Sequence, residues 1–134
     1  MTKEDKELLL KDLCARIPYG VMLKIAGHDV NLTAYNTWIY FGATDEAKEY
    51  IKPYLRPMSS MTRQECTQLN ALLPRYFIVT PECLACLDHV NGGIINFEVL
   101  DIIIDFYNSH HLDWRGLIPK GLALEATKDM YNIK

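Results

Sequence analysis

Apolar positions along this chain recur first at helical spacing, then at every second residue, then at helical spacing again. In residues 3–17, Leu9, Leu10, Leu13, Cys14 and Ile17 share one face of a 3.6-residue wheel, which predicts an amphipathic helix. Thr2 suits its N-cap, and Glu4 and Asp5 suit the positive end of its dipole. Pro18 cannot continue the helix, and Tyr19-Gly20 can turn the chain. From Val21 the period changes. Val21, Leu23 and Ile25 alternate with Met22, Lys24 and Ala26, as a half-buried strand requires. Gly27-His28-Asp29 reads as a turn, and residues 30–35 and 37–41 as two further strands separated by Asn36. The simplest arrangement is a three-stranded antiparallel meander. The next stretch, Tyr50 through Pro57, contains Pro53 and Pro57, which lack a ladder donor, so it is expected as an edge or strap and not as an inner strand.

Helical signals return at Thr62. Followed by Glu65 three residues later, it forms a capping-box signature, and the helix should stop near Leu73, before Pro74. Residues 76–79 read as a short strand. Thr80 with Pro81 behind it opens another helix, ending at Asn91-Gly92-Gly93. In residues 96–111, Glu98, Asp101, Asp105, Asn108 and Ser109 fill one polar arc of about 100°, and after Asn96 the remaining positions are apolar or histidine. That segment is expected as the central core helix. Ile118-Pro119-Lys120-Gly121 suits a type I turn, and residues 122–126 a last short turn of helix. The fold class expected for residues 1–134 is α+β in a single domain. It has an N-terminal helix, a small antiparallel sheet (a meander, with an SH3-like barrel as its closed alternative), and C-terminal helices packed around one long apolar helix.

Composition changes this picture little. The 134 residues are 49% hydrophobic and 23% charged, which suits one globular domain. No apolar run approaches the roughly 18 residues needed to span a bilayer. The charged start, Met1 to Glu7, is unlike a signal or transit peptide. A cytoplasmic location is therefore expected, with Cys14, Cys66, Cys83 and Cys86 as reduced thiols and no disulfide framework.

The net charge of −3 is unevenly spread. No lysine or arginine lies between Arg75 and Arg115, whereas Glu82, Asp88, Glu98, Asp101, Asp105 and Asp113 all do. A nucleic-acid surface needs a basic stripe. The best candidate is Lys48, Lys52, Arg56 and Arg63, interleaved with Tyr50 and Tyr54, but Glu46 and Glu49 dilute it. Nucleic acid is not the expected partner, and neither is a membrane.

Candidate chemistry is concentrated in two places. Cys83, Cys86 and His89 offer three zinc-type ligands without a fourth at finger spacing. As a redox CxxC they lack the strand–helix alternation of a thioredoxin-like fold. Two small apolar side chains sharing a helix face is the simpler reading. The second place, residues 105–118, crowds Asp105, His110, His111, Asp113, Trp114 and Arg115 around a helix end. Adjacent residues on a helix point about 100° apart, so His110 and His111 cannot easily reach one ion. Histidines that bond the last free carbonyls are the simpler reading. The line Glu98, Asp101, Asp105 is expected as a solvated face. Walker, GxGxxG, GxSxG and HExxH motifs are absent from the sequence. No catalytic residue, metal ligand or cofactor is assigned. The residue types enriched at interfaces nominate Tyr54, Arg56, His110, His111, Asp113, Trp114 and Arg115 as candidate binding residues for a protein partner.

Three segments carry a resemblance: Leu8 through Val21, Ile51 through Thr62, and Asp105 through Ala126. They resemble a family of small proteins of unassigned activity encoded by Bacteroides-type gut bacteria and by their phages and other mobile elements. Residues 63–97, including the CxxC, fall outside it. The resemblance implies a cytoplasmic, phage-related accessory protein with no catalytic residues to transfer. The function expected is a non-enzymatic protein-interaction module. One alternative is a small metal-dependent hydrolase that uses a His110 or His111 imidazole with Asp113 and a further carboxylate such as Asp105. The other is a nucleic-acid-binding module.

Overall fold

The computed structural model describes residues 2–33, 50–73, 97–127 and 129–131. Helix α1 (Lys3–Arg16) begins as its N-terminal residues dictate. The Asp5 amide donates to Thr2 Oγ1 at 3.1 Å, and the Thr2 amide donates to Asp5 Oδ2 at 3.2 Å. This reciprocal capping box satisfies two donors that the helix itself leaves free. A single 3₁₀ turn at Ile17–Tyr19 follows, closed by Gly20 in the left-handed region at φ +70°. The buried face of α1 is rotated from the expected one. Leu9, Asp12, Leu13 and Arg16 point inward, Leu10 and Ile17 are half-buried, and Cys14 is exposed.

Strands β1 (Met22–Ile25) and β2 (His28–Asn31) form a hairpin with Leu23 opposite Val30. Its turn is Ala26-Gly27, not Gly27-His28-Asp29. Both turn residues have positive φ, +49° and +85°, as a tight turn with the twist of its flanking strands requires. Strand β3 (Ile51–Leu55) pairs antiparallel with β1, and β4 (Leu124–Glu125) pairs parallel with β3, giving the order β2-β1-β3-β4. The sheet is therefore mixed. Residues 122–126 contribute a strand where a helical turn was expected.

Strand β3 lies inside the sheet, contrary to the edge or strap position expected from its prolines. The reason lies in the ladder's phase. The Leu32 amide bonds the Val21 carbonyl at 2.7 Å, so odd-numbered residues of β1 face β2 and even-numbered ones face β3. Lys24 opposite Lys52 is thus the bonded pair, and Leu23 opposite Pro53 is the unbonded one. The Pro53 nitrogen faces β4, whose pairing begins only at Tyr54 opposite Leu124. No ladder bond is lost, and proline is tolerated.

Helix α2 (Arg63–Leu72) starts at the expected capping box. Glu65 N donates to Thr62 Oγ1 at 3.1 Å, and Thr62 N donates to Glu65 Oε1 at 2.9 Å. Helix α3 (Phe97–Ser109) ends earlier than expected and leaves His110 and His111 beyond its end. Val99, Ile103, Phe106 and Tyr107 are buried, whereas Ile102 and Ile104 are only half-covered. Among the described residues, the C-terminal half does not pack around one long apolar helix. Asn108, placed by its wheel position on the wet arc, is buried, and Asp101 and Asp105 are exposed.

The buried apolar residues fall into two clusters. One joins Leu9 and Leu13 of α1 to the sheet and to Leu117, Leu122 and Ala123. The other joins α2 and α3 through Leu69, Ile103, Phe106 and Tyr107, with Met61 and Leu112. Among the described residues no helix is long and apolar enough to cross a membrane. The expected strand over 37–41, the strand over 76–79, the helix from Thr80 to residue 93 and the Cys83/Cys86/His89 group all lie outside the described residues.

Candidate functional site

The segment after α3 is held by its own backbone before any side chain acts. His111 has φ +60°. Its amide donates to the Asn108 carbonyl at 3.1 Å, and the Leu112 amide to the Tyr107 carbonyl at 2.9 Å. Those two bonds make a Schellman ending, with histidine at the left-handed position that glycine usually holds. The reversed chain then runs beside β3. The Arg56 amide donates to the His111 carbonyl and the Asp113 amide to the Arg56 carbonyl, both at 2.8 Å.

Side chains tie the inward side of this turn to both clusters. Arg16, fully buried, donates from Nε and Nη2 to the two oxygens of Asp12 at 2.8 and 3.2 Å, and from Nη2 to the Leu112 carbonyl at 2.8 Å. Arg56, 3% exposed, makes a bidentate pair with Glu65 at 2.7 Å on each side and also donates to the His110 and Ser60 carbonyls. Burial opposes ionisation of Glu65, but the Arg56 and Thr62 bonds outweigh it and hold its carboxyl below the usual value. Arg115 Nε lies 3.2 Å from Asp12 Oδ1 as an ion pair, off the angle a hydrogen bond needs. Its guanidinium carbon sits 4.2 Å above the Trp114 ring centre.

The candidate residues from sequence divide sharply in this setting. Asp113 is buried, and its two oxygens accept the Leu117 and Ile118 amides at 2.7 and 2.8 Å. Trp114 Nε1 donates to Asn108 Oδ1 at 2.8 Å. Tyr54 is half-buried and donates to Asp29 Oδ1 at 2.9 Å. Lys52 is half-buried and Arg63 exposed, but Arg56 turns inward, so these bases do not line up as a stripe. Among the described residues no group of three or more His, Cys, Asp or Glu side chains is placed to hold a metal ion.

His111 stacks on Tyr131 with ring centres 3.8 Å apart. Burial, followed by the nearby charge of Arg16, lowers its pKa to about 4. Its buried Nδ1 has no hydrogen-bond partner among the described residues, so the neutral ring is the stable form. Tyr131 itself was not singled out from sequence. Its hydroxyl accepts from the Met22 amide at 2.8 Å and donates to the Tyr54 carbonyl at 2.6 Å. These two groups would form the next bonded pair of the β1–β3 ladder, and the phenol is inserted between them. Burial pushes its pKa up to about 12.

The outward side is different. A solvent-open groove of about 440 Å³ is lined by Leu72, Ile102 and Phe106, with Tyr19, Asp105, Ser109 and His110 supplying polar atoms. Tyr19 donates to Asp105 Oδ1 at 2.6 Å, and this bond raises the phenol's pKa. The His110 ring stacks on Phe106 at 4.0 Å, with Nδ1 2.9 Å from the Phe106 carbonyl. A carbonyl can only accept, so that contact assigns the proton to Nδ1 and leaves Nε2 as the ring's acceptor. Leu72, at 58% exposed, forms the lip. From sequence Tyr19 is only a turn residue and Leu72 only part of a helix, because both come from elements far from residues 105–110. No protein family, curated protein or solved structure matches the chain.

Proposed function

We propose that this chain is a non-enzymatic protein-interaction module whose contact surface is the groove between α2, α3 and Tyr19. One observation carries the reading: the groove has an apolar floor, a polar rim and an exposed leucine at its lip. Its volume falls within the roughly 300–1,000 Å³ of ligand sites. An apolar centre with a polar margin is also the anatomy of protein interfaces. Two of the residues that suggested metal chemistry, Asp113 and His110, have structural partners. Asp113 spends both oxygens on backbone amides, and His110 spends Nδ1 on a carbonyl.

Affinity capture from lysates of Bacteroides-type gut bacteria tests this reading, with wild type and Leu72→Asp as paired baits. A protein retained by wild type and lost from the variant is the expected result. Equal capture by both baits, or turnover of a small substrate that depends on His111 or Asp113, would overturn it.

A further inference from the structure

The groove's polar atoms share one property, which points to the chemistry of its occupant. Asp105 is exposed and contributes a carboxylate, and Asp101, also exposed, lies one turn earlier on α3. His110 contributes the Nε2 lone pair, because Phe106 holds the proton on the other nitrogen. The two hydroxyl donors are already engaged, Tyr19 with Asp105 and Ser109 with the Phe106 carbonyl at 2.9 Å. The rim therefore offers acceptors and negative charge. Neither Asp101 nor Asp105 has a basic partner among the described residues, and no lysine or arginine occurs between Arg75 and Arg115.

Resting on the interaction reading above, we infer that the groove takes a cationic peptide segment. An apolar side chain sits on Leu72, Ile102 and Phe106, and a neighbouring lysine or arginine reaches Asp105 and donates toward His110 Nε2. A peptide fits better than a small molecule because the groove is open to solvent along one side, whereas small ligands are usually enclosed over most of their surface. Charge-assisted bonds to Asp105 give the segment its orientation, and the apolar contact supplies most of the affinity.

The test is a selection of displayed 12-residue peptides on the immobilised full chain, followed by anisotropy titration of the selected peptides. Expected are sequences with Lys or Arg within two positions of Leu, Phe or Trp, whose binding is lost in Leu72→Asp. Asp105→Asn should weaken them about tenfold at low salt, with the difference shrinking as salt rises, because an exposed charge pair is screened. Tyr19→Phe frees the Asp105 oxygen and should leave binding equal or tighter. Leu72-dependent peptides with acidic or neutral flanks, or indifferent to Asp105→Asn, would overturn the cationic assignment while leaving the interaction reading in place. If no selected peptide depends on Leu72, both fall together.

Discussion

The turn after α3 has two sides, and they use polar residues in opposite ways. Inward, Asp12, Arg16, Arg56, Glu65 and Asp113 are buried and answered by one another or by backbone groups. Outward, Asp105 and His110 sit at a groove with acceptors that meet no basic partner among the described residues. Buried charges must be paired because desolvation is costly. Exposed ones are under no such demand. The density of polar residues at 105–118 thus conflates two jobs. The inward set joins two hydrophobic clusters, and the outward set lines the groove.

Breaking one inward pair should have the largest effect. Arg56→Met leaves Glu65 buried without its counter-charge, and urea unfolding should show a loss of about 3–5 kcal/mol. Asp105→Asn, across the turn, should change stability by less than about 0.5 kcal/mol. Equal losses would erase the distinction. Next, Asp113→Ala strands the Leu117 and Ile118 amides, with an expected loss of about 2–3 kcal/mol.

Acid should come third. His111 has a folded pKa of about 4 against its ordinary value of 6.5. Between those values the unfolded chain takes up a proton that the folded chain refuses. Stability is therefore full above pH 6.5 and falls as the pH drops toward 4. The loss is about 2 kcal/mol once solvent screening of a partly exposed ring is allowed for. Glu65, with its depressed pKa, adds a further loss as pH falls through its folded value. His111→Asn, which tolerates positive φ, should flatten the slope between pH 6.5 and 4. An unchanged slope would place the titrating group elsewhere.

Smaller effects sharpen the contrast. Tyr131→Phe keeps the ring on His111 but removes both bonds to the ladder, for about 1–2 kcal/mol, with faster amide exchange at Met22. It should also remove a stability loss that wild type shows above pH 10, where the unfolded phenol ionises and the folded one does not. Smallest of all, Leu72→Asp should leave the unfolding midpoint nearly unmoved, within about 0.5 kcal/mol, while abolishing capture by the groove.

Local chemistry made much of the fold legible. The capping box at Thr62 stands where its spacing placed it, and the N-cap expected at Thr2 also closes a box with Asp5, because each is a contact between residues three apart. The strand at Val21–Ile25 and the stop after Leu72 follow from period two and from Pro74 in the same way. The Gly121 amide bonds the Ile118 carbonyl at 3.0 Å, as the Ile118–Gly121 turn required. The buried face of α1 departs from its apolar pattern because Asp12 and Arg16 look like surface residues, although the spacing 9, 12, 13, 16 is that of a buried stripe. Their pairing along one turn of the helix, with Arg115 and the Leu112 carbonyl as further partners, makes their burial possible.

What the sequence determined by itself was therefore the set of elements whose causes lie within a few residues: caps, turns, periods and breakers. Tertiary structure decided the rest. Arg56 became a buried anchor because Glu65 and the His110 carbonyl converge on it, and Pro53 became an inner-strand residue because of ladder phase. Tyr131 became part of the sheet by filling a gap between two strands. The groove drew Tyr19, Leu72 and Asp105 from three distant segments. Long-range bonds and charge pairs depend on which chain segments meet, and no local pattern records that.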